Sequence, residues 1–175
     1  MRSRKLKQGQ ANFMLAGNSI FTVKNVKTGN RFTYKVERAD PRSGQYPDSV
    51  IYFVSVLNGL ANTNSFYYLG IIRNEDYIHG RKSRISRKAQ SNLVFQWLFD
   101  NIDNLPKIVE FWHEGLCGRC GRKLTVPESI ECGFGLDCIR KMSAEFNREW
   151  AVYKDEFSRR EAKQERMAFM SDPDI

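Results

Sequence analysis

All four cysteines of the chain fall between Cys117 and Cys138, and this clustering restricts the fold more than any other feature. In Cys117-Gly-Arg-Cys120-Gly121, two glycines let the backbone bend until its amides face the sulfurs, so that both thiolates address one point. Zinc takes that arrangement, with four soft or borderline ligands at tetrahedral angles and Zn–S distances of about 2.3 Å. Cys132 and Cys138 supply the second pair, spaced more loosely around Gly133 and Gly135. His113, four residues ahead of Cys117, competes as a ligand. A zinc ion on Cys117, Cys120, Cys132 and Cys138 leaves no open position, and such a site is structural rather than catalytic. Cys138 opens a helical pattern, and a helix N-terminus favours the thiolate. The expected topology is a zinc ribbon or treble clef.

In a reducing compartment, clustered thiols of this kind favour a metal over disulfides. No apolar run of membrane-spanning length exists, and the basic N-terminus has no apolar segment behind it, so the expectation is a cytoplasmic protein with no membrane partner. The formal net charge of +8 is unevenly placed. Residues 1–38 carry nine Lys or Arg against Glu37 alone, while residues 138–175 hold eight of each sign. Charge this localised predicts an electropositive face and a polyanionic partner.

In chain order, residues 1–12 are basic and polar and are read as a mobile arm. Ile20–Val26 and Arg31–Arg38 form a hairpin through Lys27-Thr-Gly-Asn30, with Phe32, Tyr34 and Val36 on one side of the second strand. Ser49–Leu57 reads as a central strand and Phe66–Ile72 as a fourth, all joined as an antiparallel meander. A helix from about Ser91 to Pro106 should cover the sheet, with Leu93, Val94, Trp97, Leu98, Ile102 and Leu105 at helical spacing and Trp97 in the core. Ile108–Glu114 is a short strand or helical turn. Beyond Cys138, Met142, Phe146, Trp150, Tyr153 and Phe157 form the stripe of a long amphipathic helix. The expected class is α+β: residues 1–12 as arm, 13–108 as a four-stranded antiparallel sheet with its helix, 109–142 as finger, and 143–175 as C-terminal helix and tail.

Two basic surfaces are candidates for phosphate contact. Lys24, Lys27, Arg31 and Lys35 line one hairpin face, and Arg81, Lys82, Arg84, Arg87 and Lys88 crowd a segment in which Ser83 and Ser86 could also bond phosphates. If the two adjoin, the groove between them is the best nucleic-acid site. Arg119, Arg122 and Lys123 surround the cysteines and either touch phosphate or offset thiolate charge. No catalytic triad, His-Glu-x-x-His, phosphate loop or dinucleotide fingerprint is present, and the histidines are two, His79 and His113. The expectation is a protein without catalytic activity.

Several segments together carry a resemblance to a known family. They are Cys117-Gly-Arg-Cys-Gly-Arg-Lys-Leu-Thr-Val-Pro-Glu-Ser-Ile130 and Gly133-Phe-Gly-x-x-Cys138, with Thr28–Val36, Lys82-Ser-Arg-Ile85 and Phe111-Trp-His-Glu-Gly115 upstream. They resemble a phage and prophage family classified as domain of unknown function 6011. Similar proteins tend to read Gly-Phe-Gly-Pro-x-Cys, where this chain has Leu136, and a cysteine matching Cys132 is not regular among them. The resemblance therefore weakens Cys132 as a ligand and raises His113. It implies a phage-encoded, zinc-binding protein of the host bacterial cytoplasm and supplies no activity. Nucleic acid, DNA or RNA, is the first expected partner. The alternative is a protein-binding inhibitor or modulator of a host defence or polymerase component.

Overall fold

The computed structural model describes residues 4–6, 9–40, 50–58 and 65–142. Contacts divide the chain into two compact units, residues 1–135 and 136–175. Of the second, only residues 136–142 are described, and they are helical. The amphipathic stripe from Phe146 to Phe157 lies outside the described residues.

The first unit is organised by one antiparallel sheet. Its strands are β1 (Arg4–Lys5), β2 (Asn18–Asn25), β3 (Arg31–Arg38), β4 (Ile51–Leu57), β5 (Phe66–Arg73), β6 (Asp76–His79) and β7 (Val109–His113). Their order in space is β1-β7-β2-β3-β4-β5-β6. The expected meander is present as β2 to β5, but the described sheet has seven strands rather than four.

Each additional strand has a local cause. β6 follows β5 across a two-residue turn in which Asn74 and Glu75 both have positive φ, 52° and 64°, the geometry that matches hairpin twist. β7 returns beside β2, with Phe21 opposite His113 and Val23 opposite Phe111. β1 pairs with the outer side of β7, Arg4 opposite His113 and Lys5 opposite Trp112. Residues 4–6 are therefore docked at the sheet edge, with Leu6 buried, where the sequence suggests a mobile arm. Val109–His113, assigned from sequence to the finger, belongs to the sheet.

Alternation sorts the sheet into two faces. One carries Phe21, Val23, Tyr34, Val36, Val54, Val56, Phe111 and His113, all buried. Three helices pack on that side: α1 (Gln10–Met14), α2 (Gln90–Asp100) and α3 (Pro127–Cys132). From α1, the Phe13 ring meets Phe111 edge-on at 6.1 Å. From α2, Phe95 lies edge-on between Tyr34 at 4.9 Å and Tyr77 at 4.8 Å. Both phenols are anchored to α2, since Tyr34 donates to the Ser91 carbonyl and Tyr77 to Asn92 Oδ1, each at 2.7 Å. Burial pushes both phenols well above the usual range, each reinforced by a neighbouring tyrosine, so they remain neutral donors.

The buried side of α2 is Asn92, Phe95 and Leu98, continued by Ile102 in a following 3-10 turn. Trp97 is 41% exposed and Leu93 52%, so Trp97 is not in the core. Asn92 takes the inward position instead, because its amide donates to the Arg87 carbonyl at 2.7 Å while its oxygen receives Tyr77. No helix among the described residues is long and apolar enough to cross a membrane.

Removing the Phe95 ring takes the contact of two tyrosines and leaves a cavity beneath α2. Phe95→Ala is expected to lower the unfolding free energy by about 3–5 kcal/mol in urea titration. A change under about 1 kcal/mol would show that α2 does not hold this face.

Candidate metal centre and basic surfaces

The backbone around Cys117 and Cys120 forms a tight knuckle. Leu116 and Lys123 are bridged across it. The Cys117 amide donates to the Arg122 carbonyl and the Gly121 amide to the Cys117 carbonyl, both at 2.8 Å. Gly121 has φ +71°, and a side chain there would meet the amide of Asn18 at 2.6 Å. The positive φ calls for glycine, and the Asn18 side chain closes over it.

The knuckle is fastened to the sheet. The Asn18 amide at the start of β2 donates to the Gly118 carbonyl at 2.8 Å, and the Gly118 amide donates to the Gly133 carbonyl at 3.1 Å. The Phe13 ring fills the space beside both glycines, where a Cβ on Gly118 or Gly133 would come within 2.9 Å or 2.8 Å of it.

The Sγ atoms of Cys117, Cys120 and Cys138 lie within 4.8 Å of one another and could hold a metal ion. Thiolates around a tetrahedral zinc stand about 3.8 Å apart at a Zn–S length of about 2.3 Å, so the three need only close in slightly. The surroundings of Cys117 favour its ionised form. Burial is the largest influence on this thiol and raises it. Amide N–H groups of Gly135, Cys120 and Arg119, with the Cys120 side chain, together outweigh burial and hold it below the usual thiol range. The Gly135 contact is an N–H···S bond of 3.5 Å. Preformed N–H donors around a sulfur suit a metal thiolate.

Cys132 is not part of the cluster. It sits on the exposed side at the end of α3, and its thiol donates to the carbonyls of Ser129 and Phe134 at 3.7 and 3.5 Å. The reason is local: Pro127 starts a short helix, Gly133 ends it at φ +81°, and that turn directs Ser129 inward.

His113 is not part of the cluster either. Its ring is fully buried, with Nδ1 accepting the Gly115 amide at 3.1 Å and Nε2 at 2.7 Å from the Ile130 carbonyl. An amide N–H can only donate, so the ring proton resides on Nε2 and is given to Ile130. His113 thereby joins β7 to α3, a role its position before the first cysteine does not reveal. Among the described residues, the cluster supplies three of the four ligands that a tetrahedral ion takes.

The basic residues separate into three settings. Lys24 and Arg31 stand opposite each other on β2 and β3, on the sheet face away from the three helices. Lys35 shares that face, and Lys27 lies in the turn. Carboxylates stand beside part of this surface. Lys35 pairs with Glu37 at 2.7 Å and Lys5 with Glu110 at 3.0 Å, Lys24 stands opposite Glu110, and Thr22 donates to Glu114 at 3.1 Å. The Lys5 ammonium in particular holds the Glu110 carboxyl below its usual range, against partial desolvation and with help from the Trp112 indole and Lys24.

Arg119, Arg122 and Lys123 flank the knuckle, with Arg122 and Lys123 exposed and Arg119 half-buried. Arg81, Lys82, Arg84, Arg87 and Lys88 are all exposed, and none has an ion pair among the described residues. Their backbone is nevertheless fixed. Ser83 Oγ donates to the Tyr68 carbonyl at 2.7 Å and accepts the Ile85 amide at 3.1 Å. His79 Nε2 meets the Ile85 carbonyl at 3.0 Å, and Ser86 Oγ accepts the Lys88 amide at 3.2 Å. Of the two serines read from sequence as able to bond phosphate, Ser83 gives its hydroxyl proton to the Tyr68 carbonyl, and Ser86 accepts a loop amide.

The loop and the hairpin patch adjoin the same sheet face. Lys35 is opposite Ser55, and Ser55 is opposite Tyr68, so two strand spacings, about 10 Å, separate them. A cleft of about 470 Å³ lies at the loop, lined by Ser65, Phe66, Tyr67, Tyr68, Lys82 and Arg84. The sequence offered no sign of this cleft, because its rings and its cations belong to separate segments.

Residues 110–143 match the family of unknown function DUF6011, which spans the cysteine segment. No curated protein and no solved structure has a significant match to the chain.

The cluster predicts a clear division among variants. With cobalt as probe, Cys117→Ser, Cys120→Ser and Cys138→Ser should each abolish or strongly weaken the thiolate-to-metal charge-transfer band, whereas Cys132→Ser should leave it unchanged. Loss of the band in Cys132→Ser would contradict the assignment.

Proposed function

We propose that this protein binds nucleic acid without catalysis, through the cationic loop at residues 81–88, and that a zinc ion staples its cysteine segment. The observation that carries the reading is the contrast between the two basic surfaces. In the hairpin Lys35 pairs with Glu37 and Lys24 stands opposite Glu110, whereas five loop cations project from a hydrogen-bonded backbone with no carboxylate partner among the described residues. Solubility does not require a fixed loop. Phosphate contact benefits from one, since less side-chain and backbone freedom is lost on binding.

Zinc is the favoured ion because three clustered thiolates in a knuckle with N–H donors suit a soft or borderline tetrahedral ion, and exclude the oxygen-seeking magnesium and calcium. Cys117, Cys120 and Cys138 would hold it, and bound there it would staple the cysteine segment. Binding of metal to a folded site adds to folding free energy. Arg119, Arg122 and Lys123 then serve first to offset thiolate charge. The family resemblance supports a phage-encoded protein acting in the bacterial cytoplasm, although the proposal does not depend on that origin.

Electrostatic contact with phosphates releases counterions, so affinity should fall steeply as salt rises, with a log–log slope of about −0.9 per phosphate contacted on duplex DNA. Arg84→Ala and Arg87→Ala should each reduce that slope by about 1 and weaken binding regardless of sequence. Fluorescence anisotropy across a salt series measures both. Binding that is independent of salt, or absent for DNA and RNA alike, would overturn the proposal.

A further inference from the structure

The cleft beside the loop combines two chemistries that the loop cations alone do not explain. Lys82 and Arg84 line it together with Phe66 and Tyr68, around a volume of about 470 Å³, within the range of sites that hold a single small-molecule-sized group. Both rings rise from the sheet face opposite the three helices, Phe66 across from Leu57 and Tyr68 across from Ser55.

The Tyr68 ring has a built seat. A Cβ on Gly80 would collide with its Cε1 atom, so the ring rests where only glycine leaves room. Phe53 approaches it edge-on at 6.5 Å. Its own carbonyl receives Ser83 Oγ, and the Gly80 amide donates to the Leu69 carbonyl at 2.9 Å. Ring and cationic loop are thus fixed to each other through the same few residues. A β-bulge after Tyr68 contributes, since Ser55 pairs with Tyr68 while Val54 pairs with Gly70. Leu69 is left over and fully buried. Bulges of this kind re-aim side chains next to sites.

We infer that this cleft is a base-stacking subsite for single-stranded nucleic acid, with Tyr68 and Phe66 receiving an unpaired base and Lys82 and Arg84 holding its adjoining phosphates. The inference rests on the proposed nucleic-acid function and specifies the form of the ligand. An aromatic ring offers a π-face to any base but only when that base is unstacked, and a base inside a duplex cannot enter a concave cleft. Neither contact addresses the sugar, so DNA and RNA strands should bind alike. Charge complementarity from the unpaired loop cations selects an anionic strand over an apolar or cationic occupant.

Two measurements on the full-length, zinc-loaded chain test this. In the first, a thymidine 12-mer, a uridine 12-mer and a 12-base-pair duplex are compared by anisotropy at one salt concentration. The strands should bind about tenfold or more tighter than the duplex. Tyr68→Ala should weaken strand binding by roughly 5- to 150-fold, corresponding to about 1–3 kcal/mol per stacked base, and by a much larger factor than it weakens duplex binding. Tyr68→Phe should restore strand binding. In the second, which needs no variant, a strand carrying 5-iodouracil is photo-crosslinked to the native protein. The peptide containing Phe66 and Tyr68 should carry the adduct.

Equal affinity for strand and duplex, or adducts confined to other peptides, would overturn the inference while leaving salt-dependent binding through the loop intact. Absence of binding to every nucleic acid would overturn the underlying function as well.

Discussion

The ring of His113 is the point on which the cysteine segment depends. It ends β7, is fully buried, and bonds the Gly115 amide behind the knuckle and the Ile130 carbonyl in α3. A buried imidazole without partners would be costly, and here both nitrogens are used. Phe13 packs against it at 5.6 Å and against Phe134 at the same distance. The sheet, the knuckle and α3 are therefore joined by one polar ring and one aromatic ring before any metal binds. The thiol of Cys117 rises from this fixed base and is itself nearly inaccessible.

That rigidity separates structure from recognition. Cys117 and Cys120, which with Cys138 could hold a metal ion, lie on a segment fastened to the helix-covered side of the sheet. The surface proposed for nucleic acid begins at the opposite face and continues into the loop after β6. On that opposite face Lys35 is paired with Glu37 and Lys5 with Glu110. The loop is held in shape by Ser83, Ser86 and His79 rather than by ion pairs among the described residues.

Periodicity revealed the meander in the sequence because β2 to β5 alternate or run apolar over seven or eight residues. β6 escaped notice because Asp76–His79 is short and its turn residues, Asn74 and Glu75, lack the glycine that signals a two-residue hairpin. β1 escaped because two residues carry no period. The α2 stripe was shifted by a polar residue: Asn92 is buried through hydrogen bonds that hydropathy cannot anticipate, and Trp97 consequently faces out. In the cysteine segment, residue type and spacing identified Cys117, Cys120 and Cys138. Cys132, expected among the ligands, stands outside that cluster because Pro127 and Gly133 enclose a helical turn that carries it away from the other sulfurs. His113 was legible as important but not as a link between a strand and a helix.

The central claim is that contact with nucleic acid occurs at the cationic loop and its cleft, and that the cysteine segment supports the fold without touching the ligand. Backbone amide NMR spectra of the zinc-loaded protein, recorded during titration with a short single strand, test this most directly. Shift changes should concentrate in residues 65–68 and 79–88, with residues 116–124 nearly unaffected. Changes concentrated in the knuckle with a silent loop would contradict the account.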